Sequence, residues 1–376
     1  MSRPTSGWAL VVSPLLLRPA AYGLQPERMS RRSEKQTDAN KVEALAAAVI
    51  SGDRRALARA ITLVESSKSA HRRDAQALLV RVTSNAGNSI RIGISGVPGV
   101  GKSSFIEAFG EHIINQGHRL AVLAVDPSSG RTGGSVLGDK TRMTRLAANP
   151  AAFIRPSPAA GTLGGVARRT RESIVLCEAS GYDVVLVETV GVGQSEFAVA
   201  DMTDMFVLLM LPGGGDELQG IKRGIMELAD LVLVNKADGE LKAPATRAVA
   251  DYANALRLLR PRLSGWSVPV ETCSAIEGKG IAEAWRHVEN FRQRFTKDGS
   301  ITRRRGTQSR AWLWSEIRES LSSALMSDET VAARVRELES GVISGQVAVP
   351  EAAVEIVDYF LQRNSPRRTL KKRKAK

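Results

Sequence analysis

The chain has 376 residues, 43% hydrophobic and 24% charged, with a formal net charge of +14. That is room for one large or two to three ordinary globular domains, and even a long apolar run such as Met205 to Leu211 is far too short to cross a bilayer. Two cysteines, Cys177 and Cys273, with no pairing pattern exclude a Cys-x-x-Cys metal site and suit a reducing compartment, so a cytoplasmic location without membrane contact is expected.

The positive charge is concentrated at the termini. Residues 363–376 carry eight Lys/Arg and no acid, and residues 1–35 carry six against Glu27 and Glu34, which leaves +2 for everything between. Solvated tails account for this, and no specific nucleic-acid partner is expected. Trp8 to Leu17 is mostly apolar, as in a leader peptide, but Pro14 and Pro19 interrupt it and no small-x-small site follows Leu17. Residues 1–35 are set aside as an extension, with Met29 opening a more ordinary start.

From 36 to 88 the pattern is helical. Val42, Leu45, Ala46, Val49 and Ile50 recur at three- and four-residue steps, as do Leu57, Ile61 and Val64. Between them Ser51-Gly52-Asp53 can end one helix and cap the next, and a third helix carries Ala75, Leu78 and Leu79. This domain holds no catalytic constellation and reads as packing or partner contact.

Between 89 and 296 short apolar runs alternate with helical stretches: Ile90–Ile94, Leu120–Val125, Phe153-Ile154, Val184–Val187, Val207–Leu211, Leu231–Val234 and Val268–Val270. Strands apolar on both faces and separated by helices predict an α/β fold with a mainly parallel sheet. Ligands of such folds sit beyond the carboxyl ends of the strands.

The first strand empties into Gly96-Val97-Pro98-Gly99-Val100-Gly101-Lys102-Ser103-Ser104, a full G-x-x-x-x-G-K-[ST] match that then opens a helix. Glycines let backbone N–H groups turn around phosphate oxygens, and the helix start adds its dipole. Lys102 neutralises the outer phosphates, and the Ser103 hydroxyl suits Mg²⁺. A bare strand-to-helix turn would need the glycines but not Lys-Ser. Three downstream acids are candidate magnesium and catalytic groups: Asp126, Asp139 and Glu188, the last directly after four apolar residues, where a bare carboxylate is costly without a cation. Gly191 can offer its N–H to the terminal phosphate.

Val234-Asn235-Lys236-Ala237-Asp238 ends a later strand. A carboxylate at Asp238 accepts from both the ring N–H and the exocyclic amine of guanine, a donor pair that adenine lacks. Asn235 can address the base's other edge, Lys236 can lie along its face, and Ser274, Ala275 and Ile276 can offer backbone N–H to the guanine carbonyl. In this order, after a phosphate loop, the pattern selects GTP over ATP.

Beyond residue 297 the chain is helical again, with Lys297 to Ser309 read as a charged linker and amphipathic stretches at Trp312–Leu325, Val331–Leu338 and Val354–Leu361. Trp312 and Trp314 suit a subunit interface in this arm, which extends to 362 before the basic tail.

The segments GVPGVGKSSF, VLAVDPSSGRTGGSVLGDKTRM, VETVGVGQSE, LPGGGDELQGIKRGIMELADLVLVNKAD and CSAIEGKG resemble the MeaB/ArgK GTPases, chaperones of adenosylcobalamin-dependent acyl-CoA mutases, over roughly residues 38–345. The resemblance implies a phosphate-loop GTPase domain with an N-terminal helical extension and a C-terminal arm that forms a homodimer. It implies a client, methylmalonyl-CoA mutase or a related B12-dependent mutase, whose adenosylcobalamin loading is gated by GTP and GDP and which is protected or reactivated. It assigns Asp126, Asp139 and Glu188 to Mg²⁺ and the switches, and Asp216, Glu217, Gln219 and Lys222 to a further partner-responsive loop behind three glycines. Val192 follows Gly191, with Gln194 displaced, so no glutamine stands where Ras-like enzymes orient water; slow intrinsic hydrolysis, accelerated by the partner, is expected. Two alternatives carry less. A metal-insertion GTPase needs a Cys/His cluster, whereas His71, His112, His118 and His287 are scattered, and a small-substrate kinase needs no guanine-reading strand end.

Overall fold

The structure is a computed structural model that describes residues 39–66, 68–125, 143–156, 163–189, 195–213, 223–259 and 261–364. Three helices come first: α1 (39–50), α2 (Arg54–Glu65) and α3 (Ser69–Val82). The Asp53 carboxylate caps α2 by accepting from the Arg55 and Ala56 amides at 2.7 and 2.8 Å, as Ser-Gly-Asp predicts.

The α/β region runs β1 (Ile90–Gly96), α4 (Lys102–Asn115), β2 (Leu120–Val125), α5 (Thr144–Ala148), β3 (Ala152–Arg155), α6 (Leu163–Ala179) and β4 (Val184–Thr189). It continues with α7 (Ser195–Ala200), β5 (Met205–Met210), α8 (Arg223–Met226), β6 (Leu231–Val234), α9 (Lys242–Arg257), β7 (Val270–Thr272) and α10 (Ile281–Lys297). Six strands fall on the predicted apolar runs, while β7 begins at Val270, the last residue of its run; all seven form one parallel sheet in the order β3-β2-β4-β1-β5-β6-β7. Strand β4 runs two residues beyond the apolar run, which places Glu188 inside the sheet opposite Ile94 of β1 and Ala124 of β2.

The sheet separates two apolar cores. On one face Ile90, Ile92 and Ile94 pack with Phe105 and Phe109 of α4 and with Trp285, Phe291 and Phe295 of α10. On the other, Val185 and Val187 pack with Ile174 of α6 and with Val49, Leu57, Ile61 and Leu78 of the first three helices. The helical extension therefore shares the core of the sheet, because alternate side chains of a buried parallel strand need cover on both faces.

The arm consists of α11 (Ser300–Ser327), α12 (Glu329–Ile343) and α13 (Val349–Asn364). The predicted linker 297–309 is corrected here: apart from a break around Gly299, it is the end of α10 and the first turns of α11. Its arginines grip the body. Arg305 donates from Nε and Nη2 to the fully buried Asp204 at 2.8 and 2.5 Å, and to the Gly87 and Ser89 carbonyls at 2.6 Å. Arg304 donates to the Ala200 carbonyl at 3.2 Å and approaches buried Asp230 at 3.8 Å. The outer arm has only a small core of Val331, Leu338, Ala352 and Ile356, and it leaves Leu313, Trp314, Ile317 and Leu321 exposed.

Candidate functional site

Strand β1 ends at Gly96, where a Cβ would stand 2.5 Å from the Leu209 carbonyl of β5, so only glycine lets the chain leave the sheet here. A turn closed by Val100 N–H on the Val97 carbonyl (3.2 Å) leads to Gly101, which enters α4 in the left-handed region at φ 91°. The α4 N-terminus then faces the space beyond the strand ends. Lys102 is buried, and its ammonium donates to the Gly96 carbonyl at 2.9 Å and the Val97 carbonyl at 3.4 Å. Burial lowers its pKa against the upward pull of Glu188 and Glu196. Ser103 is half-buried on the first turn and Ser104 exposed, while Val97, Pro98 and Gly99 form the open lip of the loop.

Glu188 is buried near the carboxyl end of β4, and the next residue, Thr189, donates its hydroxyl to Ser95 Oγ of β1 at 2.9 Å. Sequence reasoning missed Glu196. It is 1% exposed on α7 and contributes to the field at Lys102. Its signal was an acid placed directly after the Gly191–Ser195 run. Asp126, Asp139, Gly191 and the loop residues Asp216, Glu217, Gln219 and Lys222 lie outside the described residues.

The carboxyl end of β6 is joined to the loop that follows β1. Asn235, 1% exposed after β6, donates its amide N–H to the Val100 carbonyl at 2.8 Å, and its Oδ1 receives Cys273 Sγ at 3.5 Å and Ala275 N at 3.4 Å. Its side chain thus braces two loops rather than standing free toward a base edge. A Cβ at Gly101 would lie 2.9 Å from the Asn235 Nδ2, a second reason for glycine there. Lys236 is the one non-glycine residue at positive φ (60°) among the described residues, and its stem reaches to within 3.9 Å of that same Cβ position. A strained backbone held beside a buried brace is characteristic of a built site.

Half-buried Asp238 accepts at Oδ2 from the Ser274 hydroxyl at 2.5 Å, and that hydroxyl accepts from the Glu277 amide at 3.1 Å. Ser274 is thereby a positioning residue for the carboxylate. Its own amide donates to the Lys279 carbonyl at 2.9 Å. Ala275 is half-buried and Ile276 is 85% exposed at the rim. Burial raises the Cys273 thiol to about 12, so it is a neutral packing group.

This arrangement has known relatives. The family model for methylmalonyl-CoA mutase-associated GTPase MeaB matches residues 57–330. A probable GTPase of Mycobacterium bovis is 56% identical over 321 residues, covering 85% of this chain and 96% of its own. The mouse protein described as methylmalonic aciduria type A homolog, mitochondrial, is 49% identical over 333 residues, covering 86% and 80%. A crystal structure described as an LAO/AO transport system kinase superposes with a TM-score of 0.66 at 37% identity, covering 85% of this chain and 97% of that one.

Proposed function

The chain belongs to the methylmalonyl-CoA mutase-associated GTPase (MeaB) family, and from that premise we propose that it is a GTP-switched chaperone of an adenosylcobalamin-dependent acyl-CoA mutase, methylmalonyl-CoA mutase first among them. The observation that carries the nucleotide half is the Asn235–Val100 bond at 2.8 Å, which makes the phosphate loop and the base-reading strand end one rigid unit. Bracing these two segments against each other in advance reduces the ordering that nucleotide binding must bring about in them.

In this reading Gly96 to Ser104 hold the phosphates and Lys102 exchanges its two carbonyl partners for phosphate oxygens. Asp238, fixed at one oxygen by Ser274, reads guanine. The hydroxyl of Ser103 and the carboxylates of Glu188, Asp126 and Asp139 form an oxygen donor set that suits Mg²⁺. Gly191 and the loop carrying Asp216, Glu217, Gln219 and Lys222 act as the partner-sensitive switches, with slow turnover until the mutase engages them. Adenosylcobalamin is carried by the mutase. The exposed stripe of Leu313, Trp314, Ile317 and Leu321 on α11 supports a homodimer through the arm.

The test is steady-state turnover of GTP and ATP by the full chain, alone and with purified mutase. Slow GTP turnover that rises on adding mutase is expected, together with loss of about 10²-fold or more of the guanine preference in Asp238→Asn. Fast turnover indifferent to mutase defeats the gating, and an unchanged purine preference in the variant defeats the base assignment.

A further inference from the structure

A cavity of about 410 Å³ lies at the amino ends of the strands, the length of β1 (roughly 20 Å) from the phosphate loop. Three parts of the molecule meet there: the turn between α3 and β1 at Thr83–Gly87, helix α6, and the root of the arm on α11. Its volume falls within the ~300–1,000 Å³ usual for small-molecule sites. Ile174 and Val175 of α6, Met202 and Trp312 supply an apolar wall.

Three arginines also line it, and they differ in their commitments. Arg91 is held by Glu178 through two bonds of 2.8 Å, and Arg305 by Asp204. The Arg171 side chain makes no hydrogen bond among the described residues, and its Nε is buried without a partner. Asp201 and Glu316 act on it, but burial outweighs them and lowers its pKa. Across the junction, Gln308 donates to the Thr203 carbonyl at 2.9 Å while its Oε1 is buried without a partner. Half-buried Arg171 therefore presents a guanidinium whose hydrogen bonds the described residues do not complete, and the unpaired, buried Nε carries a cost that a bound anion would relieve.

We propose that this cavity is a second ligand site, for an organic monocarboxylate whose head pairs with Arg171 and whose apolar or aromatic body packs against Met202 and Trp312. A guanidinium matches a carboxylate through two parallel N–H donors. The apolar wall of Ile174, Val175, Met202 and Trp312 gives the body of an organic carboxylate a surface that inorganic phosphate cannot use, so a carboxylate is favoured over phosphate. Because the walls come from both body and arm, an occupant ties the arm root to the GTPase core.

The test is fluorine NMR of the full chain labelled with 5-fluorotryptophan, with the Trp312 resonance assigned through Trp312→Phe. Phenylacetate is the probe; phenylacetamide and inorganic phosphate are the controls. We expect a saturable shift at Trp312 with phenylacetate, retained in saturating GDP, absent with the amide and weaker with phosphate. Arg171→Met weakens it about tenfold or more, and Ser309→Phe, which fills the mouth from an exposed position, abolishes it. Both variants are first shown to bind GDP and to unfold cooperatively. No saturable shift, equal binding by Arg171→Met or by the amide, displacement by GDP, or phosphate binding as tightly as phenylacetate would each overturn the assignment.

Discussion

The amino ends and the carboxyl ends of the same seven strands both bury charge, on opposite terms. At the amino ends Glu178, Asp204 and Asp230 are each about 1–5% exposed or less, and each is met by arginine: Arg91, Arg305, and Arg262 with Arg304. Backbone amides complete the shells, with Arg91 N on Asp204 and Phe206 N on Asp230, both at 2.9 Å. At the carboxyl ends buried Lys102 donates, among the described residues, only to neutral carbonyls of its own loop. Fixed partners turn a buried charge into a fastener, whereas exchangeable partners leave it available to a ligand.

Substitutions at the two ends should therefore separate stability from binding. The largest effect is expected for Arg305→Met, which leaves buried Asp204 with only the Arg91 amide as donor among the described residues. It should cost about 3–5 kcal/mol in chemical denaturation, while the GDP affinity of the folded fraction stays within about threefold. A loss under about 1 kcal/mol would mean that the arm root is not fastened by this pair. Lys102→Met should behave in the reverse way. GTP turnover falls by about 10²–10³-fold, whereas unfolding without nucleotide needs no less denaturant than before, since a desolvated cation has been replaced by an apolar stem of similar length. Parallel losses of stability and turnover would erase the contrast between the two ends.

The asymmetry also explains what the sequence could reveal. Strands such as Val184–Val187 and Leu231–Val234 are legible because burial on both faces leaves an unbroken apolar run. The glycine-rich turn into α4 and the sharp exit from β6 at Asn235–Asp238 are legible because their sequence signals are local. Arg303-Arg304-Arg305-Gly306 reads as a charged linker, since the partners of Arg304 and Arg305 are single acids in turns about 75–100 residues away, and only the fold brings them together. The bracing role of Asn235 and the field of Glu196 at Lys102 were hidden for the same reason.

Glu172 on α6 lies between the two cases and gives the smallest test. It is 5% exposed, with Arg168 at 3.3 Å, and Glu316 of α11 shares that arginine at 3.9 Å and reaches Arg72 of α3 at 3.7 Å. Burial first, and the Glu316 charge as well, raise the Glu172 pKa to about 7 against the pull of Arg168, Arg72 and Arg169. The folded state thus holds a proton that the unfolded chain releases near the ordinary glutamate value of 4.5. Stability from this group is highest at low pH, falls as pH rises through that window, and levels off above about 7. Glu172→Gln should remove about 1–3 kcal/mol of that slope in urea midpoints taken between about pH 5 and pH 8. Glu316→Gln should remove only the smaller part due to its charge, because burial is the larger cause. Superimposable pH profiles for wild type and Glu172→Gln would show that Arg168 holds the carboxylate ionised after all, which would place this cluster with the fasteners at the amino ends.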